Sequence, residues 1–323
     1  MSLLTVKDLQ VYFPVRGGFF NRKLDEIQAV RDVSFSINQG ETFGLVGESG
    51  SGKSTTGRAI LGLEPQTGGT ISYQGHDVTK VAKRQHQDFR RDVQMIFQDS
   101  FSSLNPQKRI ASIISEPLRN FENLSKNDLK LRVLQLLDIV GLSPDALYKY
   151  PHQFSGGQQQ RIGIARAVAT HPKLIIADEP VSALDLSVQA QVLNFMKKIQ
   201  AEFGISYLFI SHDLGVIRHM CDRIAIMTRG EIVEIGTRSD IYQHPIHIYT
   251  KQLLEAIPQT DVDHREQHRE ARLAMNQKYH QDKHQYYDQQ GRAFPLVQVS
   301  ETHWVSLPPN EALRHKILQR EEH

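Results

Sequence analysis

Residues Gly47-Glu48-Ser49-Gly50-Ser51-Gly52-Lys53-Ser54 follow the spacing Gly-x-x-x-x-Gly-Lys-Ser. In that pattern glycines let successive backbone N–H groups turn toward a single anion. The chemistry it suits is gripping a polyphosphate. Lys53 reaches the β- and γ-phosphates, Ser54 offers a hydroxyl to Mg2+, Thr55 follows as a further binding residue, and the helix after them directs its positive dipole end at the phosphates. A second group, Asp178-Glu179, follows the apolar run Leu174-Ile175-Ile176-Ala177, so two carboxylates stand at the end of a buried strand, where open α/β sheets bind ligands. Asp178 suits the Mg2+ shell. Glu179, one residue further, faces differently and can address a water beside the γ-phosphate. A third group, Ser155-Gly156-Gly157-Gln158, precedes a helix expected to begin near Gln160-Arg161 and offers a second anion-binding helix start. Each has a plainer reading taken alone: a glycine-rich turn, an acidic cap before Pro180, a common Ser-Gly-Gly turn. Their order along one chain makes them specific.

The elements that must position these groups are legible around them. Val33, Phe35 and Ile37 alternate with polar residues up to Gly40, the period-two pattern of an antiparallel strand. Phe43-Gly44-Leu45-Val46 is a short buried strand feeding the phosphate loop, and Gly57 to Leu63 reads as the helix after it. From about Ser100 the pattern turns helical: a Ser125 cap with Asp128 three residues later precedes Leu129, Val133, Leu136 and Val140 on one helix face. Strand and helix then alternate again, with Val188, Val192, Phe195 and Ile199 as a helix stripe stopped by Gly204. Tyr207 to Ser211 and Ile224 to Thr228 read as strands, and Arg229-Gly230 as a hairpin turn before Ile232 to Ile235.

Composition narrows the partners. A formal charge of +2, with 39% hydrophobic and 23% charged residues, gives no pull toward nucleic acid. The single cysteine, Cys221, excludes an internal disulfide and any iron-sulfur cluster held by this chain alone. No apolar run approaches the roughly 18 to 20 residues of a membrane helix, and Met1 to Thr5 lacks a leader's basic and apolar regions. A cytoplasmic protein is expected, anchored by others if it works at a membrane. Asp261 to Gln290 is dominated by charged residues, His and Gln, which suits an exposed helix or a mobile segment rather than a core element. The pairs His264/His268 and His280/His284, spaced i, i+4, could share a metal, but solvated polar neighbours favour an interaction or linker segment.

Taken together, these residues resemble the ABC ATPase family over about Leu4 to Pro258. Further family elements fall in order: Gln98 after Met95-Ile96-Phe97, Asp185 in Ser182-Ala183-Leu184-Asp185, and His212 after Leu208-Phe209-Ile210-Ser211. The resemblance implies an α/β P-loop NTPase fold with a RecA-like core sheet, an N-terminal antiparallel β-subdomain and a helical signature subdomain inserted at about 100–165. The ATPase domain would span 1–258, with a polar extension over 259–323. It further implies two ATP molecules sandwiched between two cassettes, each phosphate loop facing the partner's Ser155, Gly156, Gly157 and Gln158. His212 would contact the γ-phosphate, Gln98 would sense the metal, Asp185 would connect the two sites, and Glu179, His212, Lys53 and Gln98 would form the catalytic set. The adenine is expected on Phe13, with Tyr12 as the other choice.

Finer resemblance points to the ATPases of oligopeptide and dipeptide importers. It rests on Phe97-Gln98-Asp99-Ser100-Phe101-Ser102-Ser103-Leu104-Asn105-Pro106, on Tyr150 to Gln158 with Phe154 before the serine, and on the Val15 to Ile27 insertion. His244 to Leu254 is similar to that branch's C-terminal extension. Many members carry a cysteine-rich tail thought to hold a cluster; here Phe294 to Val297 and His303 to Val305 keep a similar frame without cysteine. The expected partners are two integral membrane permeases, a second ATPase that is a paralogue or another copy, and a periplasmic or extracellular solute-binding protein, at the cytoplasmic face of the inner membrane. Nickel or glutathione import stays open as an alternative, as does a non-hydrolysing regulatory subunit.

Overall fold

Strand β7 (Leu174–Asp178) is apolar on both faces, and its neighbours explain why. In the computed structural model, which describes residues 2–17, 22–79, 87–99, 103–257 and 265–319, Leu174 and Ile176 pack into one buried cluster and Ile175 and Ala177 into another. Strand β8 (Ser206–Ser211) divides likewise, with Leu208 and Ile210 on the first side and Tyr207 and Phe209 on the second. A sheet covered on both faces needs continuous apolar strands, and each such side chain contributes about 1.5–3 kcal/mol by leaving water.

Strands β3 (Thr42–Val46), β6 (Val93–Ile96) and β9 (Arg223–Thr228) complete the parallel part, in the order β9-β3-β8-β7-β6. Strand β10 (Glu231–Thr237) joins β9 antiparallel across the Arg229-Gly230 turn, as the sequence predicts, both turn residues having positive φ. A second, antiparallel sheet holds β1 (Ser2–Gly17), β2 (Arg22–Asn38), β4 (Gly68–Tyr73) and β5 (His76–Asp77), in the order β2-β1-β4-β5. Its Leu4, Leu9, Val33 and Ile37 pack with Phe43 and Leu45 of β3. The α/β architecture with an antiparallel companion sheet is therefore the one expected.

Helices Ile110–Phe121, Lys126–Ile139 and Gly156–Val168 pack against each other and the second face of the parallel sheet. Ser125 caps the second of them by accepting from the Asp128 N–H. The third starts at Gly156, four residues before the Gln160 start predicted. Ser155 Oγ accepts from Gln158 N–H while Gln158 Oε1 accepts from Ser155 N–H, and this reciprocal cap overrides the poor helix propensity of Gly-Gly.

The C-terminal residues hold more structure than their composition suggests. Helix Arg265–Asp282 is largely exposed, as expected, but Tyr286 and Tyr287 are buried in a third cluster with Ile246, Ile248, Val305 and Leu307. Short strands β11 (Leu296–Gln298) and β12 (Trp304–Ser306) extend the main sheet beyond β10. Ser100, Phe101, Ser102, the boundary near Pro258, and His264 lie outside the described residues. No helix among the described residues is long and apolar enough to cross a membrane.

Candidate functional site

Four neighbouring parallel strands deliver the chemical groups to one end of the sheet. Val46 pairs with Ser211, Ile210 with Asp178, and Ala177 with Ile96, so the residues just past β3, β8, β7 and β6 emerge side by side. These are the phosphate loop, His212, Glu179 and Gln98; Asp178, the last residue of β7, is itself fully buried. They bound a cavity of about 590 Å3 whose wall holds Glu48, Ser49, Gly50, Gly52, Lys53, Ser54, Thr55, Gln98, Glu179 and His212, a size within the usual range for small-ligand sites.

The loop closes tightly on the strands behind it. Gly52 has φ +100°, and a Cβ there would stand 2.2 Å from the Ala29 carbonyl oxygen; at Gly47 a Cβ would stand 2.0 Å from that of Met227. Only glycine fits either place. Lys53 Nζ donates to Gly47 O (2.8 Å), Glu48 O (2.7 Å) and Ser51 Oγ (3.3 Å), which commits all three of its N–H donors. Burial lowers its pKa, against the opposing pull of Glu179 and Asp178.

Asp178 shares the strand face of Leu174 and Ile176, the face on which helix Lys53–Ile60 packs. Ser54 Oγ therefore reaches it, donating to Asp178 Oδ1 at 2.7 Å. Oδ2 is buried without a hydrogen-bond partner, its closest charge being Arg58 Nη2 at 4.0 Å. Burial raises the Asp178 pKa, with the Ser54 hydrogen bond opposing. A fully buried carboxylate oxygen with no donor, beside a hydroxyl, is a donor set that a hard divalent cation such as Mg2+ would satisfy.

Glu179 then leaves the strand. Its φ of +46° is costly for a non-glycine residue, and it is held by its N–H donating to Ile210 O (2.9 Å). The turn swings the carboxylate between two partners: Gln98 Nε2 donates to Oε2 at 2.7 Å, and His212 Nδ1 lies 3.0 Å from Oε1. A carboxylate only accepts, so the His212 proton sits on Nδ1.

Other expected residues lie apart from this cavity. Ser155, Gly156 and Gln158 are exposed at the start of their helix, and Asp185 is exposed at the start of helix Leu186–Phe203; neither group reaches the cavity of its own chain. Phe13 and Tyr12 sit on β1 opposite Ile27 and Gln28, off the cavity wall, which on that side is made by Ala29. Ala29, Leu253 and Arg58 were not legible as site residues, because nothing local marks them. Among the described residues no group of three or more His, Cys, Asp or Glu gathers as a metal site.

The comparisons with known proteins meet this geometry. A model of the ABC transporter family matches residues 30–182, and one of the oligopeptide/dipeptide transporter C-terminal region matches 233–289. The oligopeptide transport ATP-binding protein OppF of Lactococcus lactis subsp. lactis (strain IL1403) is 61% identical over 95% of this chain and 96% of its own. The chain belongs to the ATP-binding subunits of ABC transporters. Within this family the glutathione import ATP-binding protein GsiA of Escherichia coli (strain K12) is 50% identical over 79% of this chain and 41% of its own. The dimeric ATP-binding cassette MJ0796, solved in a post-hydrolysis state bound to ADP and Pi, superposes with a TM-score of 0.65 at 28% identity, covering 73% of this chain and 98% of that one. As an ABC ATP-binding subunit the chain is an ATPase coupled to transport.

Proposed function

We propose that this chain hydrolyses ATP to drive an importer of peptides, at the cytoplasmic face of the inner membrane. It would work beside two integral membrane permeases, a second ATPase and an external solute-binding protein. The observation that carries the catalytic reading is Glu179, gripped at both oxygens by Gln98 and His212 at the mouth of the phosphate loop. Supporting the cargo are the match to the oligopeptide/dipeptide C-terminal region and the 61% identity to OppF.

In the mechanism these residues support, the loop N–H groups and Lys53 hold the phosphates of ATP, and Lys53 exchanges loop carbonyls for phosphate oxygens as it does so. Asp178 and Ser54 would hold Mg2+, which when bound neutralises charge developing on the phosphates. Glu179 receives or orients the attacking water's proton, and His212 and Gln98 fix its carboxylate so that it faces the γ-phosphate. Phe13 would stack on the adenine once nucleotide is seated. Ser155, Gly156, Gly157 and Gln158 of a second cassette complete the site, with Asp185 at the seam, so that ATP closes the pair and hydrolysis reopens it.

Glu179→Gln tests the assignment. The variant is expected to bind ATP with wild-type affinity and to turn it over about 100- to 10,000-fold more slowly; turnover at the wild-type rate removes Glu179 from the chemistry. The cargo is tested by uptake of a labelled tetrapeptide against labelled glutathione in cells lacking the gene. GsiA favours glutathione as the second reading, and selective loss of glutathione uptake would establish it over peptide import.

A further inference from the structure

The phosphate loop is fastened from outside by a residue of the C-terminal extension. Tyr249 lies on helix Ile248–Glu255, inside the segment matched by the oligopeptide/dipeptide C-terminal region. Its hydroxyl accepts from the Glu48 backbone N–H at 3.2 Å, across 201 residues of sequence, and lies within hydrogen-bonding reach of the Thr228 side chain at the end of β9. The residue is 2% exposed, and burial pushes its pKa up to about 12, so the hydroxyl stays neutral and available as acceptor and donor.

The peptide so held is one that Lys53 also grips. The Glu48 N–H that donates to Tyr249 and the Gly47 carbonyl that accepts from Lys53 Nζ belong to one peptide unit. All three Nζ donors are committed within the loop, so reaching a phosphate requires Lys53 to release at least one partner. When that partner is Gly47 O, Tyr249 is the side chain still fixing this peptide. Its own placement is firm: His247 Nδ1 accepts from Tyr249 N–H at the helix start, and Gln252 Nε2 donates to Asn276 Oδ1 of helix Arg265–Asp282.

We propose that Tyr249 is a positioning residue for nucleotide binding, by which the C-terminal extension holds the phosphate loop in its binding shape while Lys53 turns to the phosphates. The inference rests on the nucleotide reading of the loop. Tyr249 touches no reacting atom, so its effect falls on affinity and leaves the chemical step alone.

The test is ATP and ADP affinity of the purified full-length chain by calorimetry, with KM and kcat measured in the assembled transporter. Tyr249→Phe keeps the ring and removes only the hydroxyl. It is expected to weaken both nucleotides by about three- to tenfold, the size of one hydrogen bond, and to raise KM equally with kcat within about twofold. Thr228→Val, which removes the partner of that hydroxyl without touching the loop, is expected to weaken binding less and to add nothing in the Tyr249→Phe background. Unchanged affinity in Tyr249→Phe, a fall confined to kcat, or fully additive losses in the double variant would each overturn the proposal. A wild-type chain that binds no ATP, with Lys53→Ala indistinguishable from it, would overturn the nucleotide reading as well.

Discussion

Asp178 is buried with one oxygen satisfied by Ser54 and the other by no donor. Burying an unpaired carboxylate oxygen costs free energy, and the protein retains it where a ligand is to be held. Asp178→Asn removes the charge while keeping size and an acceptor for Ser54. In EDTA and without nucleotide, the variant is expected to melt at or above the wild-type temperature. Its Mg2+-dependent hydrolysis is expected to fall at least about 100-fold if, as proposed, Asp178 holds the metal. Thermal melts and an ATPase assay on the same preparation check both halves; a melt several degrees lower would show instead that the carboxylate stabilises the fold. Glu179 differs because its strain is in the backbone: at φ +46° its side chain is aimed by the turn, and the two donors then fix it.

Among the elements, helix Ile248–Glu255 is capped by a residue that titrates. His247 is fully buried, and burial, with Lys251 adding to it, lowers its pKa from 6.5 to about 3. Its neutral Nδ1 accepts from Tyr249 N–H, and its backbone N–H donates to the buried Glu234, which also accepts from His303, while the ring Nε2 is buried without a partner. The unfolded chain binds a proton near pH 6.5 that the folded chain refuses. His247 thus contributes stability that is fully present above pH 6.5 and is lost as pH falls toward 3, at up to about 1.4 kcal/mol per pH unit. His247→Asn supplies an acceptor for the cap without titrating. Urea unfolding from pH 6.5 to 4.5 is expected to show a shallower loss in the variant, whatever its absolute stability; parallel slopes would deny His247 the effect. None of this was legible in the sequence, where His247 is one of the chain's fifteen histidines and nothing local marks it. The phosphate loop, the Asp178 strand, the Arg229-Gly230 hairpin and the Ser125 cap were legible because local chemistry dictates them. The three-residue strands Leu296–Gln298 and Trp304–Ser306 were not, since they are too short for a period and form only by pairing with each other and with β10. Tyr249 was hidden for the same reason: its significance lies in a loop 201 residues away.

Over the whole molecule, the two exposed groups that do not reach their own cavity are tied to each other. A Cβ on Gly157 would stand 2.5 Å from Val188 Cγ1, and Arg161 Nη2 donates to Gln191 Oε1 at 2.8 Å. The helix beginning at Gly156 and the helix beginning after Asp185 therefore present one surface, carrying Ser155, Gly156, Gln158 and Asp185 to solvent. A capped, exposed helix start with free dipole charge is suited to a phosphate arriving on another cassette. Ser155→Arg fills that surface with a bulky side chain, at a cost of about 1 kcal/mol for the lost cap. The isolated variant is expected to bind ATP with wild-type affinity, because Ser155 is absent from its own cavity. In the assembled transporter hydrolysis is expected to fall at least about 100-fold, and in a Glu179→Gln background sedimentation in ATP is expected to show a monomer where the Ser155 chain shows a pair. Wild-type pairing and turnover in Ser155→Arg would mean that the serine-glycine turn does not meet the partner's nucleotide, and the second cassette would have to contact the loop through another face.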